Sequence, residues 1–412
     1  MNQPRLVVRV ALVSTFLFAA ARPTLADGPK TVGAYEPLSI AAAELSDATT
    51  RTVRFPGATY VRLHFKSFRL ADGDWLEIAA PDGSNAQVYS GDGLYGRSAF
   101  WATTVPGEAA VLTLHGTVGG AYGFEIDGAG RGIVDVFSTD TEPSIPGSVC
   151  GSTDWKDVAC YATSYPEAVE SARAVAIVIS DCCRQCNAFK VSDHGEFLTS
   201  RNCRSANIQD TELWFEMRAI ECGGVEVTAA GNTRGFSIWA LDDDLDYMLF
   251  DTTGGTEGIP CLQLDRHLPE IGERVFIPHH PTGNGQKLSI ESDQDAGGLC
   301  TVLDTAVDSV YSRSHHTEIT HRCDTSIGSL GAPVISAETQ KVVGIQHLGG
   351  CPTYNSASRM DRIYQQISRR LQGCSNAPNC APLSNSLCDC NGVCSGKERK
   401  FVDGGGVCAD CD

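Results

Sequence analysis

Lys341-Val-Val-Gly-Ile345 and the segment behind it, Met360 to Leu371, decide the fold class. The first is a short apolar run rich in β-branched residues, which reads as a buried strand. In the second, Met360, Ile363, Tyr364, Ile367 and Leu371 fall at i, i+3, i+4, i+7 and i+11, one face of a helix. Working outward, Val175-Ala-Ile-Val-Ile, Tyr247-Met-Leu-Phe and Arg274-Val-Phe-Ile repeat the strand signal, and no second strong helical period appears. Many strands followed by one terminal helix predict an all-β double barrel closed by a C-terminal helix.

The rest of the 412 residues divides by cysteine content. Residues 1–26 carry Arg5 and Arg9, an apolar run from Val10 to Ala21, and small residues before Ala26. That is the pattern of a signal peptide, and it is too short to span a bilayer. Residues 27–140 lack cysteine and show period-two strands at Tyr60–Lys66, Asp74–Ile78, Val111–His115 and Tyr122–Ile126, split by Gly-Asp turns. A small β-sandwich is expected there. Asp72, Asp74 and Asp92 are read as turn acids rather than a calcium cluster. A Pro-rich linker, 141–149, precedes the barrels at 150–373. The tail, 374–412, holds seven of the eighteen cysteines. It reads as a disulfide-rich module in preference to a zinc site, and the odd count leaves one cysteine to bond the barrels.

Charge narrows the function. Thirty-two basic against fifty acidic residues give a net charge of −18. This argues against nucleic acid and anionic membranes as partners. The cysteine load argues for a secreted, extracellular protein. No metal or other cofactor is expected.

Five motifs, in order, carry a family resemblance: Phe197-Leu-Thr-Ser-Arg-Asn-Cys203, Leu245-Asp-Tyr-Met-Leu-Phe250, Ile277-Pro-His-His-Pro281, Gly328-Ser-Leu-Gly-Ala-Pro-Val334 and Val343-Gly-Ile-Gln-His-Leu-Gly-Gly350. Residues 150–373 resemble secreted trypsin-like serine proteases, most closely the lysyl-endopeptidase-like branch. The sandwich in front resembles CUB-like accessory domains, without the cysteines many of those carry.

The resemblance implies a Ser-His-Asp triad, in which a hydroxyl attacks, an imidazole shuttles its proton and a carboxylate fixes the imidazole. Carried over, the carboxylate falls on Asp246. The imidazole position falls on Asn202 and the nucleophile position on Leu330, so two of the three roles are vacant. Gly328 and Ser329 fall on the oxyanion loop. Asp324 falls on the floor of the specificity pocket, where a carboxylate would pair with Lys or Arg, or else it sits in a plain turn. Gln346, His347 and Gly349 fall on the strand lining the cleft. That strand is a candidate edge for a peptide added by β-pairing. Ser329, His194, His279 and His280 are the other groups near the motifs, and surface or packing roles are expected for them. The resemblance also implies disulfides Cys150–Cys351, Cys160–Cys222 and Cys186 (or Cys183)–Cys203. Proximity in sequence suggests Cys300–Cys323.

The expected function is that of a secreted, inactive protease homologue acting on an unidentified extracellular protein or peptide by binding, as decoy or inhibitor. An active Lys/Arg-specific endopeptidase and a structural matrix or wall module are the alternatives.

Overall fold

The structure is a computed structural model, and it describes residues 28–374 apart from 46–49, 118, 140–146 and 229–230. The expected signal peptide, the body of the linker and the cysteine-rich tail beyond Cys374 lie outside the described residues.

The expected all-β double barrel forms, closed by the helix Met360–Ile367. In the first barrel the sheet runs Arg184–Lys190, Val175–Ser180, Thr211–Phe215, Gly231–Asp242, Tyr247–Thr252, Glu196–Thr199. It closes on itself through Phe189 opposite Leu198 and Lys190 opposite Phe197. Val175–Ser180 is buried at every position, which suits its β-branched sequence. The second sheet has eight strands, with Val342–Leu348 between Pro333–Ser336 and Asn355–Arg359. Met360, Ile363, Tyr364, Ile367 and Leu371 lie in one core cluster with Phe189, Leu249, Phe276 and Ile345, so the helical face seals the join of the barrels.

One further helix, Pro166–Ala172, was not expected. Its buried residues are Ala168, Ser171 and Ala172, too small to mark a hydrophobic face, although Pro166 opens it as proline does at a first turn.

Ahead of the barrels, strands from Gly33 to Gly132 build two antiparallel sheets. They enclose a core of Phe65, Phe68, Phe100, Phe124 and smaller apolar residues. The start of Tyr60–Arg69 packs its outer face on the first barrel, which leaves Arg62 and Tyr60 fully buried, while Lys66, Ser67 and Arg69 further along are exposed. Arg62 donates to the carbonyls of Ala102 at 2.8 Å and Asp210 at 3.0 Å, and its guanidinium stands 3.9 Å from Glu212. Arg234 reaches the same carboxylate at 2.9 Å, and the Thr104 hydroxyl donates to it at 2.6 Å. Arg97 pairs with Asp210 through two bonds of 3.2 and 3.0 Å.

Disulfides join Cys150–Cys351, Cys160–Cys222 and Cys186–Cys203. Cys183 bonds its neighbour Cys182, and Cys261 bonds Cys374, the first cysteine of the tail. Cys300 and Cys323 correct the expectation from sequence. Both are free, buried thiols of the second barrel, set among Val275, Ile277, Val302 and Ile319.

Candidate functional site

Ser200 caps the short helical turn Arg201–Cys203, accepting from the Asn202 amide at 3.1 Å. The same amide reaches Asp246 at 3.3 Å. This turn carries Asn202 to the rim of a cavity of about 470 Å³, whose lining includes Asp246, His347, Leu348, Arg184 and Arg201. Asn202 and Asp246 are thus brought together, with no imidazole between them from position 202.

Sequence reasoning placed His347 on the cleft strand and missed its contact with Asp246. The structure sets its Nε2 3.4 Å from Asp246 Oδ2 and its Nδ1 2.8 Å from Glu318 Oε1. Glu318 was not singled out at all. It lies on Glu318–His321, which pairs with Asn355–Arg359 and not with the strand of His347, so no local signal marked the contact. Both carboxylates are buried. Burial pushes the Asp246 carboxyl up, against the pull of His347 and of the Ser200 hydroxyl. At Glu318 burial also pushes up, but the His347 hydrogen bond and charge outweigh it and hold the carboxyl low. The imidazole is therefore clasped by two acids. The Ser200 hydroxyl beside them donates to Asp246 at 2.5 Å, and Ser200 is fully buried. A nucleophile must offer its proton to the base, and here the carboxylate takes it.

Leu330 lies on the other side of the expected centre, and its side chain turns inward. It is 1% exposed and packs with Ala188, Phe197, Cys203 and Phe250 in the core of the first barrel. Its carbonyl accepts from the Asn187 amide at 2.9 Å. Gly331 follows at φ +83°, a left-handed conformation suited to glycine. A Cβ there would sit 2.4 Å from the Asn187 carbonyl oxygen and 2.5 Å from Thr199 Oγ1.

A hydroxyl–imidazole pair does exist one position away. Ser329 Oγ is 2.8 Å from His279 Nδ1. Both residues are fully buried, and the other imidazole nitrogen meets the Ser289 hydroxyl at 3.0 Å instead of a carboxylate. Burial holds the His279 pKa down at about 3, and that of His280 at about 4. An imidazole so weakly basic, sealed from solvent together with its serine, is poorly matched to general-base work near neutral pH. His194 lies apart from it, in the turn before Glu196–Thr199.

The specificity side of the cleft is built differently from the resemblance. Asp324 is fully buried, and its two oxygens accept from the backbone amides of Cys150 and Asp154, each at 2.7 Å. Burial pushes its carboxyl up to about 7 against those two bonds. Gln346 is also buried, with Oε1 2.9 Å from His321 Nε2. Ser148 closes the edge. Its carbonyl accepts from Thr325 and Asn355, and its Oγ lies where a Cβ on Gly349 would be, 2.0 Å away. Gln346–Leu348 is paired on one side to Asn355–Arg359, and the segment entering the barrels packs on Gly349 through Ser148. Gly328, at φ +105°, packs on Gln185, the His280 carbonyl and Lys30. Among the described residues no cluster of three or more His, Cys, Asp or Glu is arranged to hold a metal.

The family model of the trypsin-like peptidase domain matches residues 186–345. A secreted RxLR effector protein of Plasmopara viticola is 25% identical over 321 residues, 72% of this chain and 76% of the effector. Among solved structures, the active form of the Rv3671c protease from M. tuberculosis aligns at 12% identity and TM-score 0.39, covering 57% of this chain and 95% of that one. A Glu endopeptidase aligns at 14% and 0.38, covering 54% and 97%. Residues 186–345 thus match a trypsin-like peptidase domain and are set within a trypsin-like double barrel.

Proposed function

We propose that this protein is a secreted trypsin-like protease homologue that has lost catalysis and works by binding an extracellular protein or peptide. The inward-facing Leu330 carries the reading, since the residue that the motif aligns with the nucleophile is a hydrocarbon packed in the barrel core. Asn202, the acid-clasped His347 and the buried Ser329–His279 pair support it, because none completes a hydroxyl–imidazole–carboxylate chain open to substrate. Asp324 engaged by two backbone amides argues against a Lys/Arg endopeptidase. The cystines Cys150–Cys351, Cys160–Cys222 and Cys186–Cys203 support the narrower likeness to the lysyl-endopeptidase branch. The relative named as a secreted effector supports export.

The test is labelling of the purified full chain with a fluorophosphonate, alongside trypsin in the same tube. Trypsin is expected to label and this protein to stay unlabelled. A covalent adduct on Ser329 or Ser200, located by mass spectrometry, would overturn the reading.

A further inference from the structure

The hairpin between Val175–Ser180 and Arg184–Lys190 carries a disulfide between adjacent residues, Cys182 and Cys183. Ser180 pairs with Arg184, so Asp181, Cys182 and Cys183 make up the whole turn. Asp181 enters it in a left-handed conformation, at φ +52°. All three carbonyls of the turn accept from the sandwich side. That of Asp181 accepts from Arg62, that of Cys182 from the Tyr60 hydroxyl at 2.8 Å, and that of Cys183 from the Val32 amide at 2.8 Å. Two glycines of the sandwich strands make room for the ring. A Cβ on Gly130 would sit 2.7 Å from the Cys182 Cβ, and one on Gly33 would sit 3.2 Å from the Cys183 Sγ.

A bridge between neighbours is a poor staple. It closes almost no loop, so it restricts little of the unfolded chain. The other four described disulfides close loops of 17 to 201 residues. Their Cα atoms stand 4.5 to 6.0 Å apart, inside the usual range for a disulfide. Those of Cys182 and Cys183 are held at 3.7 Å simply because the residues are consecutive. A disulfide outside the usual range is the more easily reduced. Each of the two cysteines is 8% exposed, which leaves a small dithiol a point of attack.

We propose that Cys182–Cys183 is a redox latch that sets how firmly the sandwich sits on the first barrel, closed as the disulfide and opened by a small dithiol. A thiolate of the dithiol bonds to one cysteine sulfur, the sulfur–sulfur bond breaks, and the other cysteine leaves and takes a proton. The second thiol of the reductant then displaces the first cysteine, which is protonated in turn. Two electrons and two protons pass to the protein, and the reductant departs as its own disulfide. The cysteine sulfurs, no longer bonded, must move apart to ordinary contact distance. The docked sandwich gives them no space, since the Gly33 and Gly130 backbones close directly on the ring. The open turn therefore does not fit under the sandwich, and the contacts of Arg62, Tyr60 and Val32 with its three carbonyls loosen together.

The experiment treats the full chain with graded dithiothreitol, without denaturant, and quenches it with N-ethylmaleimide. Trypsin then releases Ala174–Arg184, which contains these two cysteines and no other. Its double alkylation is expected at roughly tenfold less dithiothreitol than alkylation of Cys150, Cys160, Cys186 or Cys261. Over the same range the Val32 amide should exchange its hydrogen about tenfold faster, while the amides of Val175–Ser180 stay protected. Removing the dithiol and adding oxidised glutathione should restore slow exchange. Alkylation together with or after the other cystines overturns the proposal. So does early alkylation with an unchanged Val32 amide, or with exchange that rises equally through Val175–Ser180. Cys182→Ser/Cys183→Ser lacks the ring and should show the fast Val32 exchange with no dithiol present, and wild-type exchange in that variant also overturns the latch. If the variant does not fold, the wild-type titration decides by itself.

Discussion

At the scale of single residues, a motif fixes both a position and a chemistry, and the resemblance sets Asn202 and Leu330 at the positions of an imidazole and a hydroxyl. The fold brings Asn202 beside Asp246 and packs Leu330 in the first barrel. What no motif could convey is where Leu330 points. Its burial with Phe197 and Phe250 means that Leu330→Ser leaves a cavity in the first barrel. The expected loss is about 3 kcal/mol in urea unfolding. A loss below about 1 kcal/mol, as for a surface position, would show that the side chain faces the cleft. Asp324 was left open between pocket floor and turn, because its partners, the amides of Cys150 and Asp154, are distant in sequence. With a folded pKa raised to about 7, its protonated form is favoured by folding. The unfolded carboxyl titrates near 4, so the stability linked to this proton is present below about pH 4 and lost as pH rises to 7. His279 and His280, buried neutral, have the opposite slope: their contribution is lost as pH falls below about 6.5. Asp324→Asn isolates the first effect. Relative to the variant, the wild type should lose up to roughly 1.4 kcal/mol per pH unit between pH 4 and 7, measured by urea midpoints. A pH-independent difference would mean that the carboxylate is ionised throughout.

At the scale of elements, periodicity found the strands and the terminal helix because large apolar side chains mark a buried face. Pro166–Ala172 escaped for the converse reason, since its buried face is made of alanine and serine. The loop after Ser329 was legible as a turn, but its tightness depends on contacts from two other strands. Gly331 at φ +83° lies under the Asn187 carbonyl and the Thr199 hydroxyl. Gly331→Ala combines a disfavoured backbone conformation with a direct clash, so both strands must give way. The expected cost is at least about 2 kcal/mol, together with a shift of the Asn187 and Thr199 amide resonances. An unchanged spectrum and a cost within about 0.5 kcal/mol would show that the loop is free to relax outward.

At the scale of the whole molecule, the sequence was read as separate parts, and that is where it misled. Arg62 sits at an outward position of an alternating strand, which by itself predicts a solvated side chain. The first barrel covers that face, so Arg62 is fully buried and its charge is met by Glu212, which Arg234 and Thr104 also contact. Such a network arises only when sandwich and barrel are docked, and no local pattern within either part announces it. Burial pushes the Glu212 carboxyl up, yet Arg62 and Arg234 together outweigh that and hold it below the usual range. Its contribution is therefore present above the unfolded value near pH 4.3 and lost as pH falls through the lower folded value. Glu212→Gln leaves two buried guanidiniums facing a neutral amide, with an expected loss of about 3–5 kcal/mol at pH 7. Urea unfolding at pH 7 and pH 3 measures it. The gap between variant and wild type should narrow at the acid end, where the wild-type carboxylate begins to take up its proton. A gap below about 1 kcal/mol at pH 7 would mean that the two guanidiniums find other acceptors, and that the sandwich is held to the barrel by apolar contact alone.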